Sequence, residues 1–377
     1  MSIDEKRHLQ QAPLVMGVDL GGTQIRAAVL QGAEMRGRAA TLTGQDATPE
    51  RVLPRIYATM QEALQLANVK LEEITGIGVV APGPLDNREG VLYSPPNLPA
   101  WQAVPLREIL SQQFHCPVFV ENDANAAALG ELLFGAGRGC QDIVYMTVST
   151  GIGGGIIANG QILEGVNGTA GELGHMTIDW HGERCSCGNT GCLEALASGT
   201  AIARKANKII ANGQGAELLA FASIMSEHST TVPDKKALPN IDLSTQPLDS
   251  VSPNNEAARP SLSLELQVTA HTVARAAESG IPIAREIITG AAEALGFGLV
   301  NILHIFSPEI IILGGGVMQM GALIMEPALK VVQEHTMRAN MAKARIVTAQ
   351  LGGNAGLFGA GALSFYYQEQ RTRKGQQ

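Results

Sequence analysis

Short apolar runs recur along the chain, each closed by glycine or by an acidic residue. The run LVMGVDL at 14–20 is followed by a glycine pair and then IRAAVL. This pattern predicts strand, tight glycine turn, strand, which is a hairpin. A helical segment over about 50–68 precedes the buried strand ITGIGVVAPG at 74–83. A further helix near 104–113 leads to the strand PVFV at 117–120. Next comes ENDANAAALGELLFG, rich in alanine and leucine with an acid–amide start, which predicts a helix. At 142 the pattern restarts with DIVYMTVSTGIGGGIIANGQIL, again strand, glycine turn, strand. EIIILGGGV then predicts a buried strand running into a third glycine turn, followed by helices at about 320–337 and 356–367. The repeated opening predicts an α/β fold of two halves, each begun by a hairpin.

Polarity marks the exceptions. Residues 226–262 are polar and proline-rich with no sustained period, so they are expected to form a loop insertion. The tail EQRTRKGQQ is expected to fray. The longest apolar stretch, LGFGLVNILHIFSPEIIILGGG, is broken by His304, Pro308 and Glu309. It reads as a buried helix followed by a buried strand, not as a membrane span.

Length and charge narrow the class. With 377 residues, two domains are expected. The 27 basic and 35 acidic residues give a net charge of −8, which argues against non-specific attraction to nucleic acid or anionic membrane. The N-terminal stretch MSIDEKRHLQQAP lacks the apolar core of a secretory signal. A cytoplasmic location is the expectation, and Cys116 and Cys140, alone beside apolar strands, are read as core thiols.

The glycines fall where chemistry is expected. DLGGTQIR, with Asp19, Gly21, Gly22, Thr23 and Gln24, sets two glycines between strands. With no side chains in the way, backbone N–H groups there can converge on an anion. Asp19 is a candidate for holding magnesium through water. STGIGGG adds Thr150, Gly151, Gly153 and Gly154 in the same setting, and Gly314, Gly315 and Gly316 follow a third strand. An ordinary hairpin turn explains either of the first two alone; together they predict a phosphate chain held between two turns. Neither turn matches the Walker pattern or the dinucleotide fingerprint. Asn122 and Asp123 open a helix directly after a strand. Helix capping accounts for an acid there, and the helix dipole is expected to keep the pKa of Asp123 low.

Cys185, Cys187 and Cys192 have the spacing C-x-C-x4-C. A disulfide between the first two would close a strained ring, and the C-x-x-C redox pattern is absent. With one imidazole, three thiolates fill a tetrahedral structural zinc site. Glycines 188 and 191 let the backbone fold around the ion. His175 and His181 both lie within reach of the fourth position on sequence grounds.

Assembled in this order, DLGGT, ENDANAAALGE, STGIGGG and GELGHMTID…CSCGNTGCLEALASG resemble the ROK family of sugar kinases and repressors, most closely its bacterial glucokinases. The similarity covers nearly the whole chain outside 226–262. It implies two actin-like, ribonuclease-H-like α/β domains with an interdomain active-site cleft, divided as 1–121, completed by the C-terminal helix at about 356–371, and 122–355. It implies ATP-dependent phosphorylation of a hexose at the 6-hydroxyl, with ATP, Mg2+ and structural Zn2+. Asp123 matches the family's catalytic base. Asn122, Glu172, His175 and Glu194 match its sugar contacts, and Gly83 and Asn97 fall near them. The two turns match the phosphate loops, and 314–316 matches the adenosine region. The zinc ligands become His175, Cys185, Cys187 and Cys192. A homodimer or higher homo-oligomer is implied. The alternatives are kinases for N-acetylmannosamine, N-acetylglucosamine, fructose or allose. A sugar-responsive repressor is disfavoured by the net charge and by the thirteen residues before Leu14, too few for a helix-turn-helix.

Overall fold

The computed structural model describes residues 12–229, 268–341 and 344–374. Most of the insertion expected at 226–262 lies outside the described residues; its first four residues, 226–229, are not loop as expected but end the helix Ala216–Ser229.

Two five-stranded sheets organise the chain. The first contains β1 (Leu14–Leu20), β2 (Gln24–Gln31), β3 (Glu34–Leu42), β4 (Ile74–Val80) and, after the short strands β5 (Leu85–Asp86), β6 (Val91–Leu92) and β7 (Val104–Pro105), β8 (Val118–Glu121). Its order is β3-β2-β1-β4-β8. The second contains β9 (Ile143–Val148), β10 (Ile152–Ala158), β11 (Gln161–Ile162), β12 (Ile310–Gly314) and β13 (Arg345–Thr348), in the order β11-β10-β9-β12-β13. In each sheet the first three strands in sequence are antiparallel, the fourth pairs in parallel with the first, and the fifth in parallel with the fourth. The hairpin repeated in the sequence is therefore the start of one topology used twice. β5, β6 and β7 form a separate three-stranded sheet.

Helices cover the sheets because their apolar faces match them. Helix α1 (Pro49–Ala67) has Pro49 in its first turn and buries Val52, Ile56, Met60 and Ala63 against the first sheet. Its chain reverses at Asn68, whose φ of 52° is left-handed. Helix α2 (Leu106–Phe114) leads to β8, and helix α3 (Asp123–Phe134) follows it. In the second half come α4 (Leu193–Ala197), α5 (Gly199–Ala211), α6 (Ala216–Ser229), α7 (Ala270–Glu278), α8 (Pro282–Phe306), α9 (Ala322–His335) and α10 (Arg338–Met341). By length and composition α8 could cross a membrane, but 61% of its most apolar stretch is buried within the protein, as the core-helix reading requires.

The last helix, α11 (Ala355–Lys374), returns to pack on β1, β4 and α3. The tail expected to fray is thus helical to Lys374. Its close seat depends on Gly78, where a methyl group would overlap the Ala360 carbonyl oxygen. Cys116 and Cys140 are only half-buried at the rims of the cores, not within them as expected, and Cys140 Sγ accepts from Arg345 Nη2 at 3.3 Å.

Candidate active site and metal centre

The parallel strands carry the expected residues to one edge of each sheet, where open α/β sheets bind ligands. In the first sheet, Asp19 lies at the end of β1 and Gly21–Gly22 follow it, Gly83 follows β4, and Asn122–Asp123 follow β8. In the second, Ser149–Gly151 follow β9 and Gly315–Gly316 follow β12.

The first turn closes with Gly21 N donating to Gln24 O at 3.0 Å. Gly22 lies against Asn97, so two residues predicted for different ligands sit side by side. Asp19 forms an ion pair with Arg26, whose other nitrogen donates to Gly353 O at 2.6 Å. Asp19 is therefore held by a guanidinium rather than left open for a cation on both oxygens.

The second turn is shorter than the glycine run suggested. Ser149 N donates to Gly151 O at 2.8 Å, while Gly153 and Gly154 are paired residues of β10, opposite Thr147 and Met146. A side chain on Gly154 would collide with Leu173, so that glycine provides close packing and is not a turn residue. Likewise Gly314 ends β12 opposite Thr147. Gly315 is the true turn position: its φ is 95°, and a methyl there would overlap the Val148 carbonyl.

Asn122 caps α3, its Oδ1 accepting from Asn125 N at 2.8 Å. Asp123 keeps solvent access at the start of α3, although protein atoms surround it on most sides. The expectation of a low pKa fails. Removal from water raises it, the charge of Asp19 raises it further, and the N–H groups of the helix start offset only part of this.

Glu172 is exposed, and its Oε2 lies 3.8 Å from His175 Nε2. The other ring nitrogen, Nδ1, is 3.7 Å from Cys185 Sγ, and Cys187 Sγ is 3.7 Å from Cys192 Sγ. The donor atoms of His175, Cys185, Cys187 and Cys192 all lie within 4.8 Å of one another. Sulfurs bound at about 2.3 Å to one tetrahedral zinc would stand about 3.8 Å apart, so the donor set fits. His181 is not in this group; its ring stacks at an edge on Trp180. Left-handed backbone at Gly188 and Gly191, with φ of 94° and 70°, turns the loop around the cluster as expected.

Glu194 begins the helix after Cys192. Its Oε2 accepts from Ile152 N at 2.8 Å, so it is bound to the second turn. Beside that turn opens a cavity of about 1270 Å³, lined by Thr150 and Gly316 among the candidate residues, and also by Thr200, Asn207, Thr269 and Arg275. Those four polar residues escaped sequence reading because they belong to amphipathic helices or their caps and carry no spacing signal. Glu121, Asn87 and Arg26 were missed for a similar reason: each has at least one partner distant in sequence, Asn87 for Glu121 and Gly353 for Arg26.

Comparison with known proteins accords with this geometry. The sequence profile of the ROK family matches residues 15–365, and the chain belongs to that family. The glucokinase of Halalkalibacterium halodurans is 33% identical over 362 residues, covering 96% of this chain and 97% of that protein. The xylose repressor of Caldicellulosiruptor bescii is 31% identical over 314 residues, covering 83% of this chain but 68% of the repressor. Among solved structures, a ROK family glucokinase from Streptomyces griseus in complex with glucose and AMPPNP is 30% identical, with a TM-score of 0.68, covering 93% of this chain and 98% of that one. The two halves described above are the paired actin-like domains of this fold.

Proposed function

We propose that this ROK family member is an ATP-dependent hexose kinase acting at the 6-hydroxyl, with glucose as its substrate. The observation that carries the reading is the placement of Asp123 and both glycine turns along the ligand-binding edges of the two sheets. The named glucokinase relative, matched over 97% of its length, supports the kinase over the repressor, of which 68% is matched.

In this reading the hexose binds between Asn122, Asp123, Glu172, His175 and Glu194, with Gly83 and Asn97 at its rim. The amides of Gly22–Thr23 and Thr150–Gly151 face the phosphates, and the cavity beside Thr150 and Gly316 takes the nucleoside. The sugar oxygen bonds to the γ-phosphorus as the bond from that phosphorus to the β,γ-bridging oxygen breaks. The hydroxyl proton passes to Asp123, and ADP leaves. A raised pKa makes Asp123 a better acceptor for that proton, and a positioned base contributes about 10²–10⁴-fold. Because phosphoryl transfer is loose, orientation of the hydroxyl matters as much as deprotonation. Asp19, which Arg26 engages through Oδ2 only, would help to hold the magnesium bound with ATP, and that ion would neutralise phosphate charge. His175, Cys185, Cys187 and Cys192 would hold a structural zinc ion, which would fix the His175 ring and its tautomer. His175 Nε2, on the Glu172 side of the ring, is the nitrogen that meets the sugar in this reading. We also propose the division at 121/122, the homo-oligomeric state and the cytoplasmic location.

ADP release measured across a hexose panel tests the reading. Glucose should give the highest kcat/KM, and Asp123→Ala should lose turnover while retaining glucose binding. Turnover retained by the variant would remove Asp123 as base. Operator DNA bound in a gel shift, with no sugar phosphorylated, would favour the repressor.

A further inference from the structure

Glu121 ends β8, directly before Asn122 and Asp123, and is fully buried. Its carboxylate accepts three hydrogen bonds. Oε1 takes Asn122 N at 2.9 Å and Asn125 Nδ2 at 3.2 Å; Oε2 takes Asn87 Nδ2 at 3.0 Å. The first two donors belong to the turn that carries Asp123. The third lies between β5 and β6, in the small sheet. Asn125 is itself buried, and its Oδ1 has no partner, so its amide is kept there at a cost and serves the carboxylate.

The neighbouring residue extends the connection into the second half. Arg88 Nη2 donates to Gly165 O at 3.2 Å, and Arg88 Nε lies 3.8 Å from Glu164 Oε2. Tyr367 Oη donates to Glu164 at 3.0 Å. Asn87 and Arg88 thus join the base of α3 to the loop that leads towards Glu172.

A buried carboxylate is a poor choice for stability alone, since an apolar residue of similar volume would avoid its desolvation. Burial, with the charge of Glu164 nearby, also pushes its pKa up. We propose that Glu121 is a positioning residue for the phosphoryl transfer, fixing the backbone that aims Asp123 and tying it to the β5–β6 hairpin. This rests on the kinase reading with Asp123 as base.

Glutamine at 121 keeps one acceptor but turns an N–H group towards the Asn87 amide nitrogen. Changing Asn87 to Asp supplies the missing acceptor, so E121Q/N87D restores the link with its charge moved. E121Q should lower kcat about 10²-fold, because small misplacements of reacting groups cost that much, with the sugar Kd held within about threefold. The double variant should recover at least about tenfold of that loss. Amide exchange over 118–129 should quicken in E121Q and slow again in E121Q/N87D. A kcat for E121Q within about twofold of wild type, or a restored Tm without restored kcat in the double variant, overturns the proposal. If E121Q does not fold, N87A decides: it removes only the hairpin arm, and an unchanged kcat overturns the link. A wild-type protein that phosphorylates no hexose would defeat the kinase reading by itself. Amide exchange at 118–129 would then decide the positioning separately, and no change in E121Q would overturn it.

Discussion

Glu194 Oε2 accepts a hydrogen bond from Ile152 N at 2.8 Å, joining a residue two positions after Cys192, the last cysteine of the cluster, to the end of the second glycine turn. Gly199 N donates to Ser149 O at 2.7 Å on the other flank of the same turn. One carboxylate oxygen is therefore committed to the turn, and in the proposed kinase reading the other is left for a sugar hydroxyl. A residue shared in this way would link the two proposed ligand sites through a single rigid group.

The first prediction follows from that sharing. Hydrogen bonds to charged groups contribute about 1.5–3 kcal/mol, so Glu194→Gln should raise the KM for sugar roughly 10–100-fold. It should also raise the KM for ATP, by a few-fold, because the turn loses a charged acceptor. Steady-state kinetics with each substrate varied in turn checks this. An unchanged ATP KM would mean that the bond to Ile152 has no bearing on the nucleotide.

The pKa of Asp123 sets a second expectation. Its folded value lies above the ordinary 3.8. Below 3.8 the group is protonated in both folded and unfolded chains, and it takes nothing from stability. As pH rises towards the folded pKa the unfolded chain loses its proton first, so stability falls across that window. Asp123→Asn removes the fall. The variant should melt higher than wild type at neutral pH, with the difference closing in acid, while its turnover is lost. In the wild type, the acid limb of kcat/KM should lie above the range of an ordinary aspartate. Equal melting temperatures at pH 7 would contradict the raised pKa.

The sequence made these features visible to different degrees. Both opening hairpins were legible because a glycine turn between apolar strands leaves a local pattern. β3 was not: EMRGRAATL carries Glu34, Arg36 and Arg38 on an edge strand, where charge protects unpaired backbone and hides the apolar period. The cysteine cluster could be read from spacing alone, but choosing His175 over His181 needed either the family pattern or the fold. The pKa of Asp123 was misjudged because the helix dipole is local and readable, whereas enclosure and the nearness of Asp19 arise only when β1 and β8 come together at one sheet edge. Gly153 and Gly154 looked like turn residues because glycine has one letter for two uses, a reversal or a close approach. Glu121 could be seen in ENDANA, but its partner Asn87 is thirty-four residues earlier, and nothing in the intervening sequence joins them.

Close approach gives a third prediction, on the fold itself. Gly78 sits in the centre of β4, under the Ala360 carbonyl of α11. A methyl group there has no space unless the helix moves, and overpacking of this kind typically costs about 1–3 kcal/mol or more. Gly78→Ala should lower the urea midpoint strongly at an unchanged m-value. Gly139→Ala, where nothing lies within 4 Å but φ is 83°, should show only the smaller cost of left-handed backbone. If the two variants lose equal stability, α11 does not press on the sheet at Gly78.

The last prediction concerns the metal centre. Cys187 is exposed, so its replacement leaves no cavity in a core, and any effect of Cys187→Ser comes through the donor set. The purified protein should carry about one zinc per chain, as four filled positions imply. Cys187→Ser should reduce that content and lower the melting temperature, because metal bound only by the folded chain adds its binding free energy to stability. It should also raise the sugar KM more than it lowers kcat. Without the ion, the His175 ring should lose its fixed tautomer, while Asp123 keeps its place directly after β8. Metal analysis and kinetics on the same preparation check both halves. Full sugar affinity in zinc-free protein would mean that the cluster braces the loop without orienting His175. Loss of kcat at unchanged KM would place the effect on Asp123 instead.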